Sequence, residues 1–185
     1  MKYFLRGGIL FVSLIFLPGC GWLNSKQAVV PPDVQFLKVG KVIDAKRLRQ
    51  GGKLLIVSFS AGAGVEATDQ LDRVALMIVK GLADILKENS SPFEILDSNN
   101  AREAEIVMSG HVTAFSAKAD SNLLFLNGMK IYCLAVEGKI IDPASGEKIL
   151  IFSDSKESRQ KDEEAKDLGY RMGRDIGSFI LSSMQ

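Results

Sequence analysis

The sequence has 185 residues, 46% of them hydrophobic and 24% charged, which predicts one ordinary folded domain with a tail and excludes a disordered chain. The 23 basic and 22 acidic residues leave a formal net charge of +1, so the charge balance predicts no nucleic-acid binding. With two cysteines and one histidine, the chain cannot build a disulfide framework or a four-thiolate zinc site, and we expect no metal and no cofactor.

The first predicted element is a signal peptide at residues 1–19. Two basic residues precede the apolar run 9–17, which falls short of the roughly 18–20 apolar residues of a transmembrane helix. The run ends in Leu-Pro-Gly-Cys at 17–20, which resembles a bacterial lipobox apart from the proline. The resemblance implies cleavage before Cys20 and attachment of lipid, palmitate included, to its thiol. The alternative is an ordinary secreted protein in which Cys20 is incidental.

A tether is predicted at residues 20–33, stiffened by Pro31-Pro32, with a periplasmic domain at 34–185. Gly21 follows the cysteine, and by analogy with enterobacterial sorting a residue other than Asp there favours the outer membrane. Trp22 and Leu23 are then membrane-proximal. The Trp22 indole lies either at the lipid headgroups, which favour it, or exposed in solvent.

Hydrophobic periodicity predicts six strands and two long helices in the domain. The strands are expected at 36–43, 54–59, 93–96, 106–115, 129–142 (bulged at Gly138) and 148–153. One helix is capped by Thr68 or Asp69 and ends before Asn89, and the second runs from about 163 to 182. Residues 154–164 are charged and predicted to be solvated. We therefore expect an α/β (α+β) domain, a two-layer sandwich with both amphipathic helices on one face of a mostly antiparallel or mixed sheet.

Two features are candidate interfaces. Gly169, Gly173 and Gly177 recur every four residues in the last helix and form a smooth groove, which packs either on the sheet of its own chain or on a neighbouring subunit. The apolar island Leu123-Leu124-Phe125-Leu126 is either an edge strand or core segment, or a patch that binds a partner, a sister subunit or the membrane.

No set of residues supplies a nucleophile, a base and an oxyanion donor together, so we predict no enzyme. His111 is expected to be an ordinary strand histidine, and Cys133 a buried, inert thiol. The acidic run 162–164 with Asp167 either attracts a cation or simply begins a helix, where the helix dipole favours negative charge.

From residue 53 to 115 the chain resembles the small α/β domain shared by the N-terminal domain of TolB and the outer-membrane lipoproteins CsgG, PelC and LpoB. The segments that carry the resemblance are LLIVSFS (54–60), FEILD (93–97) and AEIVMSGHV (104–112), in which Glu105 replaces the usual Asp. The turn DPASGE (142–147) and the glycine spacing of the final helix also match.

The resemblance does not by itself fix the function. The lipobox, the missing active site, the glycine groove and the apolar island together predict an outer-membrane-anchored, non-catalytic scaffold or accessory subunit of an envelope export or assembly complex. Its expected partners are the membrane, other envelope proteins and further copies of itself in a homo-oligomer. The alternative is a monomeric periplasmic regulator that docks on a cell-wall synthase or another envelope enzyme. A third class is a hydrolase or ligand-binding domain that depends on His111.

Overall fold

The computed structural model describes residues 40–119, 130–158 and 163–185. The described elements, in chain order, are β1 (Gly40–Val42), α1 (Ala45–Gln50), β2 (Gly52–Ile56), β3 (Ser60–Ala61), α2 (Asp69–Glu88), β4 (Phe93–Leu96), a 3₁₀ helix (Ser98–Glu103), β5 (Ile106–Ala119), β6 (Lys130–Ile141), β7 (Lys148–Glu157) and α3 (Ala165–Ser182). The predicted signal peptide and tether lie outside these residues.

The strands form one mixed sheet. Its order is β1-β7-β6-β5-β2-β4, with β3 beside the later part of β5. Strands β5, β6 and β7 form an antiparallel meander, β1 lies antiparallel to β7, and β2 lies parallel to both β4 and β5. The predicted mixed sheet is confirmed.

Helices α2 and α3 pack against each other and against one face of this sheet, which confirms the two-layer α/β sandwich. We call this the covered face. Alternate strand residues point into it, so that Leu54 of β2, Met108 of β5 and Ile140 of β6 are fully buried beneath the helices. The helices contribute a matching apolar side, with Ile78, Leu82, Met172 and Ile176 among the residues with no exposed surface.

A pair of glycines makes room for two aromatic rings on the covered face. Gly110 of β5 is paired directly with Gly138 of β6. A Cβ on Gly110 would lie 2.7 Å from Cδ1 of Phe59, and one on Gly138 would lie 2.8 Å from Cε1 of Phe152. The two rings lie side by side, with centroids 6.3 Å apart. Gly138 pairs in register with Gly110 on one side and with Phe152 on the other, so the predicted bulge at Gly138 is wrong. The register between β5 and β6 shifts instead between Val112 and Ala114.

Local chemistry explains most of the observed boundaries. The Thr68 side chain accepts a hydrogen bond from the backbone N–H of Leu71, so α2 begins as predicted. Strand β4 has the predicted bounds, 93–96. The strand predicted at 54–59 ends earlier, at Ile56, and Phe59 turns its ring into the core.

One helix has no counterpart among the predicted elements, and one prediction about a polar segment is wrong. Helix α1 was not foreseen, because six residues with a single buried apolar side chain, Leu48, give too short a pattern. Residues 154–157 were expected to be solvated, but they continue β7 because β6 supplies a partner as far as Glu157. Asp154 and Lys156 consequently alternate onto the covered face, beneath α3.

Candidate functional sites

The structure does not describe the predicted lipid anchor, the membrane-proximal residues or the apolar island. Cys20, Trp22, Leu23 and the island Leu123-Leu124-Phe125-Leu126 lie outside the described residues. Strands β5 and β6 are paired as far as Ala119 and Lys130, and residues 120–129 connect those two paired ends. The lipid anchor and the roles of the apolar island therefore stay predictions.

The glycine groove of α3 is filled by α2 of the same chain. A Cβ on Gly169 would lie 2.7 Å from the backbone oxygen of Val74, and one on Gly173 would lie 2.8 Å from the backbone nitrogen of Leu82. Gly177 is pressed against the Ile85 side chain in the same way. The glycines were predicted to pack either on the sheet or on a neighbouring subunit. Both predictions are wrong, because all three glycines are buried between α2 and α3 of the same chain.

Polar bridges reinforce the junction between these helices. The Tyr170 hydroxyl donates to the Asp84 carboxylate at 3.1 Å, and the Arg174 guanidinium donates to Glu88 at 2.9 Å. The Arg174 hydrogen bond lowers the pKa of Glu88 from its usual value. Both pairs are accessible to solvent, so they add orientation more than stability.

His111 has a partner that sequence alone did not show. Its Nδ1 lies 2.7 Å from the Ser60 hydroxyl, because β3 pairs with β5 and places the two residues opposite each other. Glu137 is the neighbour of His111 across the next pair of strands. Among the described residues the only hydrogen bond of the imidazole is to Ser60, so Glu137 does not orient the ring as the acid of a catalytic triad would.

The remaining thiol and the acidic run occupy different environments. Cys133 is half-buried rather than buried, because it alternates onto the sheet face away from the helices, and its Sγ lies 3.5 Å from a Glu157 carboxylate oxygen.

In the described part of the acidic run, the Asp167 carboxylate accepts a hydrogen bond from the backbone N–H of Glu164, the N-cap residue. These residues therefore start α3, in agreement with the helix-start alternative.

A charged cluster lies beneath α3. Asp154 is only 5% exposed, and the Lys156 ammonium lies 3.1 Å from its carboxylate and 2.6 Å from that of Asp175 on α3. Burial raises the pKa of Asp154, and the neighbouring ammonium only partly opposes this shift. The sequence contained a hint of this cluster, since Asp154 and Lys156 have the period-two spacing of residues on one face of a strand.

The sheet face away from α2 and α3, which we call the open face, carries a half-buried apolar row. Its members are paired across neighbouring strands and comprise Leu96, Leu55, Val107 and Ile141. Charged and polar residues, including Glu137 and Lys139, adjoin this row. The open face therefore presents apolar and charged side chains together.

The two ends of the sheet are also available for pairing. Among the described strands, β1 and β4 each have a neighbour on one side only. Leu76, which is 65% exposed, lies on the side of α2 turned away from α3. Because α3 lies over β6, β7 and Gly40 of β1, this outer side of α2 belongs to the β4 end of the domain.

The described residues contain neither a membrane-spanning helix nor a cluster of metal ligands. No helix among them is both long and apolar enough to cross a membrane. No three histidine, cysteine or acidic side chains in these residues lie close enough together to hold a metal ion.

Comparisons with known proteins identify the fold. No family model and no curated protein sequence matches the chain. Among solved structures, PelC from Paraburkholderia phytofirmans, described as a dodecamer, is similar in two crystal forms. One crystal form has 16% sequence identity to this chain, and the match covers 74% of this chain and 90% of PelC, with a TM-score of 0.50. The other has 14% sequence identity, and the match covers 70% of this chain and 89% of PelC, also with a TM-score of 0.50. Lipoprotein GNA1162 from Neisseria meningitidis has 10% identity over 69% of this chain and 96% of its own, with a TM-score of 0.44. The likeness to PelC shows that this chain has the same α/β fold.

Proposed function

We propose that this chain is an outer-membrane lipoprotein that acts as a non-catalytic scaffold or accessory subunit of an envelope export or assembly complex, and that it forms a homo-oligomer. The observation that carries the proposal is the fold shared with the PelC dodecamer, taken together with the lipobox-like residues 17–20. Neither feature requires a catalytic site, and the structure offers surfaces suited to protein contacts instead.

The proposed anchor has a simple physical basis. Acyl chains on Cys20 would partition into the bilayer with about 0.8 kcal/mol per buried methylene, and two or more chains hold a protein there stably. Trp22 and Leu23 would lie next to the lipid. The tether of residues 20–33 would then connect the membrane to the domain, which would face the periplasm.

The open face and the two sheet ends support the proposed role in assembly. The half-buried row of Leu55, Val107 and Ile141 provides apolar surface beside charged residues, against which a protein partner would pack. The same row also supports the alternative function, in which a monomer docks on a cell-wall synthase or another envelope enzyme.

Metabolic labelling with palmitate tests the anchor. The full chain is expressed in a bacterium, and the expected result is a labelled protein in the outer-membrane fraction. Cys20→Ser should lose both the label and the membrane association, while Cys133→Ser is the matched control that keeps both, since the chain has two cysteines. Label retained by Cys20→Ser, or wild-type protein recovered free in the periplasm, would overturn the proposed anchor.

Crosslinking in cells separates the two functions. Recovery of export or assembly components with multimers of this chain supports the scaffold. Recovery of a cell-wall synthase bound to single copies of the chain overturns it in favour of the docking regulator.

A further inference from the structure

We propose that copies of this chain assemble head to tail through the two ends of the sheet, with β4 of one copy pairing antiparallel to β1 of the next. The inference rests on the homo-oligomer of the proposed function and specifies the surface that forms it. The pairing would join the sheets of neighbouring copies into one continuous sheet.

The strand directions suit this pairing. Along the sheet order, β4, β2 and β5 run in one direction, β6 runs in the opposite direction, β7 reverses again, and β1 is antiparallel to β7. Strands β4 and β1 therefore run in opposite directions within one copy. A rotation about an axis along the strands keeps both directions and leaves the helices of both copies on the same side.

Among the described residues, the backbone groups that the two edge strands turn away from their neighbours are complementary. The N–H of Ile43 donates to Ile149 across β7, so the alternate residues Gly40 and Val42 turn their N–H and C=O groups outward. The N–H of Gly52 donates to the carbonyl of Pro92, so Phe93 and Ile95 turn theirs outward at the other end.

One register satisfies both edges. It places Phe93 opposite Val42 and Ile95 opposite Gly40, and each of these pairs can exchange two backbone hydrogen bonds. The side chains of these residues belong to the covered face in both strands, so the alternation of faces continues across the junction without a slip.

Charges on the open face favour the same register. It brings the exposed Glu94 of one copy opposite the exposed Lys41 of the next. Within its own chain, Glu94 already lies beside Lys53, its partner on β2. Opposite charges that face each other across paired strands are stabilising, and like charges are unfavourable.

The helix layers of neighbouring copies also meet at this junction. When two sheets meet edge to edge, the α3 side of one domain comes alongside the outer side of α2 in the next, where Leu76 is 65% exposed. Because the contact joins two different surfaces, repetition of the same step closes a ring when the rotation is suitable.

Disulfide trapping tests the pairing. In full-length chain carrying Cys133→Ser, Glu94→Cys and Lys41→Cys together should give an oxidation-dependent series of bands that continues beyond the dimer, since each copy has one cysteine at each end. The single variants Glu94→Cys and Lys41→Cys are the controls and should not form that series. Bands that stop at the dimer, or no bands, would overturn the head-to-tail pairing.

Charge exchange at the two exposed positions gives an independent test. Glu94→Lys and Lys41→Glu should each weaken assembly by about tenfold, because like charges then face each other, and the double exchange should restore it. Circular dichroism checks that the variants are folded. A native mass measured on the same samples separates two failures: multimers unaffected by the exchanges contradict this interface alone, and monomers in the wild type contradict the proposed homo-oligomer itself.

Discussion

Two opposite sides of helix α2 have different environments. The inner side, which includes Ile78 and Leu82, has no exposed surface and contacts the sheet and the glycines of α3. The outer side, turned away from α3, carries Leu76, which is 65% exposed. Leu82 and Leu76 are the same type of residue, so the residue type alone does not show which of the two is buried.

The buried residues of the inner side stabilise the fold, whereas the exposed outer side is accessible to a partner. The inner side fixes the distance between α2 and α3 at the close approach that three glycines permit. The outer side has no such constraint, and its substitution should affect assembly before it affects folding.

A pair of leucines within α2 gives the largest expected contrast. Leu82→Ala should lower the free energy of unfolding by about 2–5 kcal/mol, because it removes a fully buried side chain and leaves a cavity. Leu76→Ala should stay within about 0.5 kcal/mol of the wild type. Urea unfolding of the two variants measures the contrast, and equal losses would show that the outer side is part of the core.

The glycine contact gives a smaller effect. Gly173→Ala should destabilise the chain by about 1–3 kcal/mol, although alanine favours helix, because the new methyl group would meet the backbone of α2 near Ile78 and Leu82. Ser178→Ala, at an exposed position of α3, is the control and should change little. A more stable Gly173→Ala variant would mean that the helices do not pack this closely.

Asp154, buried beneath α3, should make the free energy of unfolding depend on pH. Burial raises the pKa of Asp154 above its ordinary 3.8, so the folded state holds this proton more tightly than the unfolded state. This contribution to stability is present below pH 3.8 and is lost as the pH rises through the folded-state pKa.

Asp154→Asn removes that titration. The stability of the wild type relative to Asp154→Asn should therefore fall as the pH is raised from 3 to 7, as measured by urea unfolding at each pH. A difference that stays constant, or that grows in favour of the wild type, would show that Asp154 is not held in this buried environment.

The sequence predicted those parts of the fold that have local chemistry. The cap at Thr68, strand β4 and the two amphipathic helices all depend on short patterns of side chains, and the structure confirms them. These patterns act within a few residues, so the printed sequence contains all the information they need.

The errors share a different cause, namely partners that are distant in the sequence. Gly138 suggested a bulge, but the ring of Phe152 explains the glycine. Asp154 suggested a solvated loop, but β6 holds it in a strand. The spacing of the three glycines in α3 showed a groove, and only the packed fold showed that α2 fills it.

The candidate sites divide in the same way. The lipidation of Cys20 is predicted from the residues that precede it and stays a prediction. The hydrogen bond between His111 and Ser60, the charged cluster at Asp154 and the matching sheet edges depend on strand register, which no local pattern specifies.

The most direct test of the account is the native mass of the full-length chain. Protein extracted from membranes in mild detergent would be measured by light scattering over a range of concentrations. The account predicts a discrete multimer of fixed stoichiometry, as expected for a ring closed through the two ends of the sheet. A chain that is monomeric at every concentration would contradict it.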